Sequence, residues 1–352
     1  MNYTSVIVPS YAFTLIKIGF LKQLIMDDMT LQKLEDISEI KQFIEFIGVF
    51  YPGLAPSSYK TEDIERALFH TYVQLIGKIL NVSPNAMRIF LKNYLLKYEI
   101  MNIKNVILGT ILGIKVDEKV SMVNMLVEKY LNNEKFIKDL IEITSLEEIQ
   151  LYMRSTIYNK VIREGILYFK NTNEIFVLEA FLDRLYYENL QNEVKNLTQK
   201  ERAMISLYVS YVSEIYNLNI IYRGIKNQID KNLLLQFLVN SYLFMNEKEL
   251  EDLVDLKTIN EFITVLTQLL SEKKELKSSL NKIPLDYEHF IWSVEKIYLE
   301  FYFKKIESKK VDIDYQAILK ILELLIKKDK EIRLFILPKV VRILHDKYKL
   351  LK

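Results

Sequence analysis

The sequence predicts an all-α protein, and three observations carry that reading. Half of its 352 residues are hydrophobic, which is ample for packed cores. Breakers are scarce, with eight glycines and six prolines. They are also badly placed for a sheet protein: no proline occurs between Pro84 and Pro284, and neither breaker occurs between Gly224 and Pro284. Strands joined by tight turns need such residues often, whereas long helices run through their absence.

Helix boundaries follow from capping chemistry. Ser83-Pro84 places a hydroxyl before a proline suited to a first helical turn, predicting a helix to about Lys97. Thr198 and Glu201 have the spacing of a capping box. The helix behind them, Ala203 to about Tyr216, offers Ile205, Val209, Val212 and Ile215 as one apolar stripe. Gln316 to Leu351 reads as a helix that Pro338 must kink or break. The mixed runs Glu272 to Lys277 and Lys327 to Lys330 read as solvated faces.

Three signals recur in one order. The tetrads Asp36–Glu39, Ser145–Glu148 and Thr258–Glu261, each before an apolar helix, lie 109 and 113 residues apart. Tyr72, Tyr187 and Tyr302 lie 115 apart within apolar stretches. Asn102, Asn217 and Glu331, each followed by a dense apolar run, lie 115 and 114 apart. A common period argues for internal repetition, with repeats of roughly 1–116, 117–231 and 232–352. No Gly/Pro/Ser-rich linker separates them.

Composition excludes several functions. With no cysteine there is no disulfide scaffold, thiolate metal site or thiol nucleophile. The formal charge of +2, from 48 basic and 46 acidic residues, lacks the basic excess of a nucleic-acid binder. The 23 tyrosines and 18 phenylalanines sit mostly at helical spacing and read as core. The longest apolar run, Val106 to Ile114, is far short of the about 20 residues that span a bilayer. The opening MNYTSVIVPSY lacks a basic n-region and a long apolar h-region, so no signal peptide is expected.

Chemistry is equally sparse. His70, His289 and His345 share no metal-ligand spacing. Asp27-Asp28 lacks the second acidic cluster that a diphosphate-binding pair needs and reads as a solvated turn. No glycine-rich phosphate loop occurs. No catalytic residue, cofactor or metal is expected. A helical scaffold that binds partner helices, unrelated to any enzyme complex, fits these facts as well.

Particular stretches point further. Ser145 to Tyr158, SLEEIQLYMRSTIY, resembles the "S/T-L-E-D/E-I/L … L-x-x-T-x-Y" element of the C subunit of the A-type/V-type ATP synthases, equivalent to the d subunit of the vacuolar ATPase. Ile215 to Gln228 is similar to that family's "D-x-x-N-L-x-x-x-x-R-x-K" element, with Asn217, Leu218 and Arg223 in matching positions. Glu214 replaces the usual aspartate, and Lys226 falls one place late. Tyr98 to Lys115, Leu178 to Leu190 and Lys327 to Lys339 resemble further family elements. Leu108 replaces a usual arginine, and an N-terminal element survives loosely as Tyr11 to Lys17.

The resemblance implies three helical units in a pseudo-three-fold, funnel-like arrangement. It implies a non-catalytic central-rotor subunit, present once, at the cytoplasmic face of the membrane. Its implied partners are the D and F subunits of the shaft and the membrane rotor ring, with membrane contact only through the ring. Asn102, Asn217, Arg223, Lys226 and Glu331 stand out as partner-binding candidates. The short amides of Asn102 and Asn217 also suit caps or turns. Arg223 suits either a partner carboxylate or its own helix C-terminus.

Overall fold

A computed structural model describes residues 10–287, 289–307 and 312–350. The opening stretch through Pro9, read above as no signal peptide, lies outside them, as does Leu351. Among the described residues there are helices and connectors and no strand, so the chain is all-α. No helix among them is long and apolar enough to cross a membrane. Chain contacts divide it into two compact units. The first comprises Met1–Leu95, Asn124–Asn133 and Val311–Lys352; the second comprises Leu96–Val123 and Glu134–Lys310.

The first unit is built around helices Thr61–Val82 and Ile313–Lys330, most of whose apolar residues are enclosed. Ile64, Leu68 and Ile76 from the one, with Ile318, Ile321 and Leu325 from the other, are typical of this core. Gly77 permits a close approach by the Met125–Leu131 helix: a Cβ there would overlap the Tyr130 ring. Ser83 does not cap the next helix. Its hydroxyl donates back to the Ile79 carbonyl at 2.7 Å, closing the preceding helix instead. The Pro84 carbonyl accepts from the Arg88 N–H, so the new helix begins at Asn85. It runs to Ile111, well past Lys97: no proline interrupts it, Gly109 is accommodated within it, and Gly113, at φ +66°, follows its end.

At Pro338 the helix is interrupted but does not end. Helix Ile313–Lys330 passes into a π-helical turn, Glu331–Ile336, and continues as Leu337–Leu350. A proline ring collides with the carbonyl four residues earlier, here Leu334. A wider turn before Pro338 accommodates it, and the helical path continues.

The second unit contains the Gln199–Lys226 helix. Thr198 caps it through the expected box: its hydroxyl accepts from the Glu201 N–H, and the Glu201 carboxylate accepts from the Thr198 N–H at 3.1 Å. Ile205, Val209 and Ile215 are buried, with Val212 half-buried. The helix continues one further apolar run beyond Tyr216, through Leu218, Ile220 and Ile221. Of the three recurrent tetrads, Ser145 and Thr258 cap helices Leu146–Tyr152 and Ile259–Glu272. Asp36 instead ends helix Asp28–Asp36, and Glu39 precedes Ile40–Gly48 without a side-chain cap bond.

Candidate functional site

The buried polar residues of the long helices are the most distinctive chemistry in the molecule. In the second unit, Glu214 is fully buried in the middle of Gln199–Lys226. Its carboxylate accepts from the backbone N–H groups of Leu243, Phe244 at 2.9 Å and Met245 at 3.2 Å, and from the Tyr298 hydroxyl at 2.7 Å. Residues 238–246 form no helix, so their N–H groups need such partners. One turn on, Asn217 bonds both polar groups of Val239: Val239 N–H to Oδ1 and Nδ2 to Val239 carbonyl, each at 2.9 Å. Burial pushes the Glu214 carboxyl above its usual range, and the bonds from Leu243 and Tyr298 oppose that rise.

The same spacing occurs earlier. Glu99 and Asn102, three residues apart on Asn85–Ile111, are both buried, and Glu99 accepts from the Tyr158 hydroxyl at 3.0 Å. In the first unit the pair is Lys328 and Glu331, with side chains 2% and 4% exposed. Glu331 accepts from the Met26 N–H at 2.8 Å and the Tyr51 hydroxyl at 3.1 Å, and pairs with Lys328 at 2.7 Å. Lys328 also donates to the Leu24 carbonyl and sits 3.7 Å from the centroid of the Tyr51 ring. Burial raises the Glu331 carboxyl and lowers the Lys328 amine, each opposed by the other's charge.

These positions correct two sequence-based readings. Asn102 and Asn217 are neither caps nor turns but lie buried within helices; a short amide can satisfy a neighbouring connector as readily as its own backbone. The run Lys327 to Lys330 is not a solvated face, since Lys328 and Asp329 are buried. Asp329 holds Arg333 at 2.9 Å one turn on.

Of the five partner-binding candidates, Asn102, Asn217 and Glu331 are therefore enclosed by the chain itself. Arg223 and Lys226 occupy the last turn of Gln199–Lys226, where the helix dipole favours cations. Lys226 is exposed. Arg223 is partly engaged, 3.2 Å from Glu179 and 4.8 Å from the Phe176 ring centroid. Of the residues that clasp these connectors, Glu99, Lys328, Tyr51 and Tyr298 were not singled out by sequence reasoning, Glu214 was read only as a replacement for the family's aspartate, and Tyr158 only as the end of a family-like stretch. The available signal was a charged residue one turn before each recurrent position: Glu99 before Asn102, Glu214 before Asn217, Lys328 before Glu331.

Elsewhere, Asp27 is an N-cap that accepts from Thr30 N–H, with its carboxyl lowered by bonds to Thr30. His70 contacts Asn124 and Gln74; His289 contacts Asp286 and stacks on Trp292. Among the described residues no group of three or more His, Cys, Asp or Glu is placed to hold a metal ion.

These features define an all-α protein whose buried polar groups hold its own connectors. The chain belongs to the ATP synthase (C/AC39) subunit family, whose model matches residues 17–336, a family of rotary-ATPase subunits. It is 23% identical over 287 residues to the C subunit of the A-type ATP synthase of Methanocaldococcus jannaschii, covering 76% of this chain and 70% of that one. The subunit of the same name from Pyrococcus furiosus is 26% identical over 217 residues, covering 61% of this chain and 56% of the relative. For that of Methanococcoides burtonii the identity is 25%, covering 65% and 60%. The matched region thus spans less than two thirds of the latter two relatives.

Proposed function

We propose that this chain is the central-rotor coupling subunit of an A/V-type rotary ATPase. It joins the D and F subunits of the shaft to the membrane rotor ring and transmits torque between ATP chemistry and ion translocation. It performs no catalysis itself, is present once per complex, and meets the cytoplasmic face of the membrane only through the ring. The observation that carries this reading is the family match along residues 17–336.

The order of the clasps supports the three-repeat organisation of 1–116, 117–231 and 232–352. Glu99 of the first repeat holds Tyr158 of the second. Glu214 of the second holds Tyr298 and Leu243–Met245 of the third. Glu331 of the third holds Met26 and Tyr51 of the first. Arg223 and Lys226, on one helix end, are the candidates left to meet a partner's acidic groups.

The test is affinity purification of the tagged chain from native membranes. Recovery with the D and F subunits and the ring subunit is expected. Recovery without any other ATPase subunit overturns the assignment.

A further inference from the structure

Resting on the coupling reading, we propose that the buried carboxylate clasps are positioning residues for torque transfer: they stiffen the joints between successive repeats. Torque passing through a helical body is resisted well along helices, whose backbone bonds are continuous. Compliance collects where the chain leaves helical geometry, at the connectors. Each clasp grips such a place. Glu331 holds Met26, in the break between Lys22–Leu24 and Asp28–Asp36, and Tyr51, beyond the end of Ile40–Gly48. Glu99 holds Tyr158, which follows the Met153–Ser155 turn. Glu214 and Asn217 together hold residues between Lys231–Phe237 and Glu247–Val254.

The gripping group is in every case buried in a long helix or its π-helical extension, so the connector is tied to the stiffest element available. A carboxylate shared among several donors in a low-dielectric interior has little freedom to change partners, because any donor released there is left unsatisfied. Solvent-exposed ion pairs offer no comparable hold, since water replaces either partner. Lys170 with Glu147 is such a pair.

The experiment uses the intact complex, reconstituted in vesicles and pumping ions against a rising gradient. Glu214→Gln, Glu331→Gln and the milder Tyr298→Phe are compared with the wild-type chain and with Lys170→Ala. Copurification with the complex reports assembly, and ATP hydrolysis reports catalytic turnover. The steady-state gradient at equal turnover reports coupling under load. The expected result is normal copurification and hydrolysis for Tyr298→Phe with a lower steady-state gradient, a larger loss for the two Gln variants, and a wild-type gradient for Lys170→Ala. Copurification with a wild-type gradient in Tyr298→Phe and both Gln variants overturns this inference alone. Failure of the wild-type chain to copurify overturns the coupling reading and the inference with it.

Discussion

The clasp at Glu214 and the clasp at Glu331 do the same work with different charge. In the second unit a carboxylate gathers three backbone N–H groups and a tyrosine hydroxyl, while Asn217 secures a fourth backbone position. In the first unit lysine stands where the other helices carry the acid, and the acid has moved one turn on, to the amide's place. The result is a buried ion pair that bonds Leu24, Met26 and Tyr51. Neutral donors hold the first kind of clasp; the second also depends on mutual neutralisation. Removing one member of a buried pair leaves the other uncompensated, which is the costlier loss.

Four measurements break or sharpen this contrast. Glu331→Gln strands the Lys328 cation, and urea denaturation is expected to show a loss of about 3–5 kcal/mol. Glu214→Gln keeps one acceptor oxygen but turns an amide N–H toward backbone donors, with an expected loss of about 1–3 kcal/mol. A larger loss for Glu214→Gln than for Glu331→Gln would reverse the ranking and remove the ion pair's special status.

Tyrosine replacement makes a finer comparison. Tyr51→Phe and Tyr298→Phe each remove one hydroxyl and keep the ring, so each should cost about 0.5–1.5 kcal/mol. The ring under Lys328 survives in the first case, so its cation–π contact should be unaffected.

The pH dependence separates the two clasps by sign. Glu214 and Glu331 have raised carboxyls, so their contribution is present below the ordinary carboxyl range and lost as pH rises through the raised value. Lys328 has a lowered amine, so its contribution is present above the ordinary lysine value of 10.5 and lost as pH falls through the lowered one. Relative to wild type, Glu214→Gln should therefore change the stability profile only on the acid side. Lys328→Met should change it on the alkaline side as well. The smallest effect expected is at Arg223: its pair with Glu179 is partly exposed, and Arg223→Ala should cost at most about 1 kcal/mol.

How much of this was legible depended on distance along the chain. Fold class was readable because Gly and Pro act locally, and the boxes at Thr198 and Thr258 because a cap bonds its own helix. Asp36 misled because the same residue types can end one helix as easily as start another. The recurrence of Asn102, Asn217 and Glu331 was visible, but their roles were not. Asn217 bonds a backbone 22 residues away, and Glu331 one 305 residues away, and no local pattern encodes such partners. Lys328 was hidden differently: charge-rich sequence ordinarily means solvent, and only the surrounding Ile326 and Ile332 hinted at burial.

The double bond pattern at Asn217 makes that position chemically exacting. One amide presents an acceptor to the Val239 N–H and a donor to the Val239 carbonyl. The change Asn217→Asp would leave the shape nearly identical, yet in its ionised form the second carboxylate oxygen would face that carbonyl with no proton between them. Slow hydrolysis of the amide, a route by which proteins age, would thus convert an attraction into a repulsion without changing the outline of the side chain. The interior setting of this asparagine, sealed from water, also guards against its own decay.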